Sequence, residues 1–172
     1  MRLILGTALF ALIAVGIVMV GLPYLVTRSG FGLFYDSGYV RFLGYVPLTA
    51  GALMWIFSAR HFIVFGRGTP APIYPPVKLV NFSIFRSVRN PMYLGVLLIL
   101  LGEAILFQSI TLYVYVIGVW LAFHLFVVFY EEPRLQIIFG RIYEEYLNSV
   151  PRWIPRLYAF RSKRRKGSRQ QN

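Results

Sequence analysis

Residues 89–135 read "RNPMYLGVLLILLGEAILFQSITLYVYVIGVWLAFHLFVVFYEEPRL". Two apolar runs, 91–107 and 110–130, are parted only by Gln108 and Ser109. Each is close to the ~20 residues with which an α-helix crosses a bilayer. The spacing predicts a tight antiparallel helical hairpin set in a membrane. The first run, about 17 residues at ~1.5 Å rise, is barely long enough to cross. Its polar start, Arg89–Asn90, therefore lies near the membrane–water boundary, and Glu131 and Glu132 return to the same edge one hairpin later.

The rest of the chain fits that reading. Of 172 residues, 58% are hydrophobic, and the mean hydropathy is +0.63. Such a composition leaves no room for a separate soluble catalytic domain. Residues 1–26 form an apolar run longer than the ~7–15 residue core of a signal peptide, without a clear cleavage site, and read as a retained first span. Residues 27–41 read as a Gly- and Ser-bearing loop, and 42–65 as a second span in which Gly44, Pro47 and Gly51 bend the helix or admit a close neighbour. The stretch 66–90 has four prolines between Pro70 and Pro76 and is not a regular helix. Its length marks it as a functional element. After Tyr130, Leu135, Ile138, Ile142 and Tyr146 recur at helical spacing, which predicts an amphipathic helix on the membrane surface.

The expected fold is thus an all-α integral membrane protein of about four transmembrane helices, five if part of 73–85 re-enters the bilayer. It ends in a helical hairpin and an interfacial amphipathic helix. Three regions follow: N-terminal spans (1–65), a catalytic region of loop, hairpin and amphipathic helix (66–155), and a basic tail (156–172). Arg60, Arg67, Lys78, Arg86 and Arg89 flank the long loop, whereas the Gln108–Ser109 turn has no basic residue. Positive-inside logic puts both termini and the Arg89 edge in the cytoplasm, with Arg28 and Arg41 against it. The formal net charge is +12. In a membrane protein this points to anionic lipid rather than nucleic acid, for which no base-reading motif is present. Without cysteine there is no disulfide, thiolate nucleophile or Cys-type zinc site, and no metal is expected.

The residues able to carry chemistry gather at one edge. Pro91 suits a first helical turn, which puts Asn90 at the N-cap. Free N–H groups and the helix dipole make that start an anion site, and Arg89 adds a fork matched to carboxylate or phosphate. Tyr93 and Leu94 lie in the first turn, and Gly95 admits a flat ligand or a neighbouring backbone. His124 lies nearly two turns before Glu131 on the same helical face, and an ionisable residue inside a span is a functional candidate. A capped interfacial turn and a neutral histidine bonded to its neighbour explain the same residues without chemistry. A ligand with both a carboxylate and a positive centre, such as S-adenosylmethionine, fits the combination of cation, anion hole, aromatic faces and carboxylates.

"FRSVRNPMYLG" and "YEEPRLQIIFGRIYEEYLNSVPRWIP" resemble the isoprenylcysteine carboxyl methyltransferase family and its phospholipid methyltransferase relatives. Arg89, Pro91, Tyr93 and Gly95 match an Arg-His-Pro-x-Tyr-x-Gly motif. Glu131, Glu132 and Leu135 match Glu-Glu-x-x-Leu. Phe139, Gly140, Tyr143, Tyr146, Val150 and Pro151 follow in order and spacing. The resemblance covers residues 66–155 and implies a membrane methyltransferase. It would hold S-adenosylmethionine against Arg89, Asn90, Pro91, Tyr93, Leu94, Gly95, Glu131 and Glu132, and draw a lipophilic acceptor from the bilayer. Arg89, Glu131, Glu132 and His124 are the residues implied in catalysis. Asn90 stands where the eukaryotic enzymes have His, and an amide neither takes up a proton nor carries charge. Two other classes fit the same features: a sterol-type membrane reductase using NADPH, and a non-enzymatic protein that binds lipid or a partner through its basic tail. The sequence names neither the acceptor nor the oligomeric state.

Overall fold

The computed structural model describes residues 16–29, 32–61 and 83–156. Among them the regular elements are all helical, apart from one isolated antiparallel bridge, Phe34 to Ser109. The helices are α1 (Leu22–Arg28), α2 (Tyr45–His61), α3 (Pro91–Leu106), α4 (Ile110–Phe126), α5 (Glu132–Phe139) and α6 (Arg141–Ser149). A π turn, Ile17–Gly21, leads into α1, and a 3-10 turn, Gly38–Gly44, leads into α2. A second π turn, Val127–Glu131, joins α4 to α5 without a break. Pro133 cannot donate the next helical hydrogen bond, and such a turn absorbs the missing bond.

Glycines set how α2 and α3 meet. A Cβ built on Gly51 would lie 2.6 Å from the Gly95 carbonyl oxygen, and one on Gly44 would lie 2.6 Å from that of Gly102. Both pairs have the same residue sum, as antiparallel helices require. The seven-residue spacing in each chain segment is about two turns, so each pair of glycines shares a face. Without side chains between them the two backbones touch, a contact common where lipid supplies no hydrophobic drive for helix association. This corrects half of the expectation for Gly95: its open face is filled by the backbone of α2, not by a flat ligand. Between α3 and its neighbours lie Val96, Leu97, Leu100 and Ala104, all buried.

The hairpin turn is where the sequence placed it. Gln108 takes a positive φ of 53°, and the Ser109 hydroxyl accepts from the Leu112 N–H at 3.3 Å. The segment before α2 satisfies other free groups there: Ile110 N–H donates to the Leu33 carbonyl at 2.8 Å, and Tyr35 N–H to that of Gln108 at 2.9 Å. Helical ends leave such groups unpaired, and burying them unpaired is costly.

The outer surface is apolar. Along α4 and the π turn, Val114, Ile117, Leu121, Leu125 and Phe129 are exposed. Two continuous helices, Gly38–His61 and Ile110–Phe139, are long and apolar enough to cross a membrane. So large an exposed apolar band is foreign to a water-soluble surface and suits lipid. Ile17–Arg28 and Pro91–Leu106 are shorter apolar helices.

Two expectations change. The helix does not restart after Tyr130 but runs on to Phe139, and Gly140, with φ of 52°, breaks it. The break rotates the stripe that follows. Leu135, Phe139, Tyr143, Tyr146, Leu147 and Val150 pack together, whereas Ile138 and Ile142 are exposed. The loop expected at 27–41 is also shorter, because α1 reaches Arg28 and the 3-10 turn begins at Gly38. The start of the first span, most of the proline-rich stretch including the re-entrant option, and the tail beyond residue 156 lie outside the described residues.

Replacing Gly51 with Ala should cost about 1–3 kcal/mol through overpacking, read as a lower thermal midpoint in detergent. Gly118→Ala is the control, since its Cβ meets nothing within 4 Å. Equal midpoints for the two variants would contradict the glycine contact.

Candidate functional site

The end of α2, the segment leading into α3, the start of α3 and the π turn after α4 converge on one cleft. Ser58, Phe85, Arg89, Asn90, Pro91, Met92, Tyr93 and Glu131 line it, and it encloses about 400 Å³ counting the space open to solvent. Across its mouth, Arg89 Nη1 donates to Glu132 Oε1 at 2.9 Å. The Tyr93 hydroxyl donates to Glu131 Oε2 at 3.1 Å. Tyr93 also packs on Phe123, with ring centroids 4.7 Å apart. The hairpin thus brings Arg89 and Tyr93 of one arm to the adjacent carboxylates of the other.

Glu132 has a second cation. Arg152 Nε donates to Glu132 Oε1 and its Nη2 to Oε2, both at 2.8 Å. That bidentate pairing is the strongest geometry between these groups. The carboxylate further raises the Arg152 pKa, chiefly through these hydrogen bonds. Arg152 was not among the residues singled out from sequence. The signal was present: it directly follows Val150–Pro151, and with Pro155 close behind the segment has to be extended rather than helical.

This non-helical segment, residues 150–156, bends across the start of α3 as a strap. Arg89 N–H donates to the Pro151 carbonyl at 2.9 Å, and Arg156 N–H to that of Ser87 at 3.0 Å. The Tyr146 hydroxyl donates to the Phe85 carbonyl at 2.7 Å. Burial pushes the Tyr143 and Tyr146 hydroxyls above the ordinary tyrosine range, so both remain protonated at neutral pH.

Asn90 does sit at the N-cap of α3, but its side chain makes no capping bond. Instead Nδ2 donates to the Arg152 carbonyl at 3.3 Å. Pro91 is buried at the first helical position, and the Leu94 N–H closes the first helical bond to Asn90 at 3.0 Å. His124 does not join the residues lining the cleft. Its Nδ1 accepts from Trp153 Nε1 at 3.1 Å, and its ring stacks on Trp120 at 5.4 Å. An indole N–H only donates, so the histidine proton lies on Nε2 and the Nδ1 lone pair is engaged.

One polar atom here is left over. Arg89 Nε is buried and without a hydrogen-bond partner among the described residues. A buried donor without an acceptor costs free energy that a bound acceptor would return. It stands at the N-terminus of a sixteen-residue helix, where the dipole also favours an anion.

Tyr146→Phe removes one buried hydrogen bond and should cost about 1 kcal/mol at neutral pH. Because the native pKa is raised, the tyrosine contribution is complete below the unfolded value of about 10 and falls as pH rises above it. Thermal midpoints across that range should therefore fall less steeply in the variant. A variant as stable and as alkali-sensitive as the parent would refute the bond to Phe85.

No curated protein matches the chain. A family model, phospholipid methyltransferase, matches residues 39–142, from the turn before α2 through both cleft carboxylates to the start of α6. With its apolar outer band and its cleft at the mouth of the hairpin, this chain belongs to the phospholipid methyltransferase family, a family of membrane methyltransferases.

Proposed function

We propose that the chain is a membrane-embedded methyltransferase that uses S-adenosylmethionine and acts on a lipophilic acceptor, an isoprenylcysteine-like carboxylate or a lipid headgroup. The observation that carries this reading is the Nε of Arg89, without a partner among the described residues, in a cleft also lined by Tyr93 and Glu131. The donor set suits the cofactor: Arg89 and the free N–H groups of α3 take its carboxylate. Glu131 faces its positive groups, and the rings of Tyr93 and Phe85 give apolar walls. When bound, the cofactor supplies an electrophilic methyl group.

The chain's own residues then act mainly by positioning and by keeping water out. A carboxylate acceptor needs no general base, and with Arg89 on the cofactor, Arg86 orients it. An amine or thiol acceptor gives up a proton, and Glu131 lines the cleft where that proton is released. His124 is less well placed for the task, because Nδ1 is engaged by Trp153.

In this reading four helices span the bilayer, in the order Ile17–Arg28, Gly38–His61, Pro91–Leu106 and Ile110–Phe139. Their alternating direction supports it. The turn Gln108–Ser109 meets residues 33–35 at one end, and the cleft lies at the other. The basic residues near the cleft put that end, and both chain termini, on the cytoplasmic side.

Calorimetry on the purified chain in detergent should show binding of S-adenosylhomocysteine. Arg89→Ala and Glu131→Ala should each weaken it about tenfold or more, the scale of one lost charge-assisted hydrogen bond. His124→Ala should weaken it less than Arg89→Ala does, because it removes a contact to the Trp153 indole and no group lining the cleft. A folded chain that binds NADPH but not S-adenosylhomocysteine would replace this reading with a reductase.

A further inference from the structure

Two arginines share one carboxylate beside the cleft, and they do not share it equally. Arg152 closes a planar fork on both oxygens of Glu132. Arg89 reaches only Oε1, through a single nitrogen, at 2.9 Å. A guanidinium has five N–H donors and a carboxylate about four acceptor positions. Arg152 therefore uses the best of what Glu132 offers and leaves Arg89 with donors to spare. The orphaned Nε is one of them.

Charge divides in the same way. Two guanidinium groups share the one Glu132 carboxylate, so it is not the exclusive partner of either. The Arg152 side chain is 27% exposed and the Arg89 side chain 12%. Arg152 is therefore the better hydrated of the two, and Arg89 is the one that lines the cleft. Were Arg152 absent, Glu132 would be free to turn its second oxygen to Arg89. It would then neutralise the cation and occupy its fork.

The segment around Arg152 is fixed by Arg89 itself, by Asn90 and by His124. Arg89 N–H holds the Pro151 carbonyl, Asn90 Nδ2 holds the Arg152 carbonyl, and His124 holds the Trp153 indole. Asn90 and His124 thus secure the strap, a task that needs hydrogen bonds and no change of charge.

We propose that Arg152 is a positioning residue for the anion site: by engaging both oxygens of Glu132, it holds Arg89 to a single hydrogen bond with that carboxylate and leaves the Arg89 Nε available for the carboxylate of the cofactor. This rests on the S-adenosylmethionine reading above and assigns Glu132 to the setting of Arg89 rather than to the ligand.

Two ligands separate this role from a merely structural one. S-adenosylhomocysteine has the amino-acid carboxylate, and 5′-methylthioadenosine has the same thioether nucleoside without it. In the full chain in detergent, Arg152→Gln should weaken S-adenosylhomocysteine about tenfold or more, the scale of a charge-assisted bond. The affinity for 5′-methylthioadenosine should change less than about twofold, a fraction of that scale. Adding Glu132→Gln to Arg152→Gln should bring S-adenosylhomocysteine affinity back toward that of the parent, since no carboxylate then competes for Arg89. Arg152→Lys, whose ammonium lacks the planar fork, should lie between the parent and Arg152→Gln; it serves as the deciding variant if the glutamine variant does not fold. The proposal is overturned if both ligands weaken alike, if the double variant binds no better than Arg152→Gln, or if Arg152→Lys binds as the parent does. Absence of S-adenosylhomocysteine binding in the folded parent would instead overturn the cofactor reading, and this assignment with it.

Discussion

The carboxylate of Glu132 ties together segments that are far apart in the chain. It lies at the end of one hairpin arm, accepts from Arg89 at the start of the other, and accepts from Arg152 beyond the last helix. Its side chain is only 14% exposed. Breaking a buried ion pair by removing one partner costs about 3–5 kcal/mol, because the survivor is left unpaired. The edge of the membrane is a place where such a pair survives. Deeper, desolvation would be prohibitive; further out, water would screen the attraction to almost nothing.

Helix length decides where that edge falls. The sixteen residues of α3 give about 24 Å at ~1.5 Å per residue, less than the ~30 Å hydrocarbon core. The partner helix is longer, Ile110–Phe139, and extends beyond α3 at the cleft end. The step between the two ends leaves a ledge on which α6 and the strap are laid. Gly95 and Gly51 in contact, and Gly102 against Gly44, hold α3 against α2 and so fix the depth of the ledge. The hairpin partner contributes few buried side chains, Leu112 among them, and turns most of its apolar surface outward.

Much of this was legible in the sequence. The two apolar runs and the Gln108–Ser109 turn predict the hairpin, because apolar length and a polar interruption are local properties. Arg89, Tyr93, Glu131 and Glu132 fall at one edge by counting residues along two antiparallel helices. The role of Gly95 was left open by the sequence, since an absent side chain does not say what fills its place. The stripe expected through Leu135, Ile138, Ile142 and Tyr146 is divided: Leu135 and Tyr146 pack together, and Ile138 and Ile142 stay exposed. A helical period was carried across Gly140, whose positive φ resets the face.

The sequence by itself determined the membrane class, the hairpin, the family pattern and the meeting of cation and carboxylates at one boundary. Each follows from hydropathy, from spacing along a helix or from local motifs. Only the tertiary structure decided that Arg152 takes the better half of Glu132, that Asn90 and His124 hold the strap, and that α2 fills the open face of Gly95. These contacts join residues separated by 20 to 62 positions and by 44 positions between Gly51 and Gly95. No local pattern encodes which of several possible partners a polar group will find. That choice is made when helices of fixed length pack and every buried donor competes for the same few acceptors.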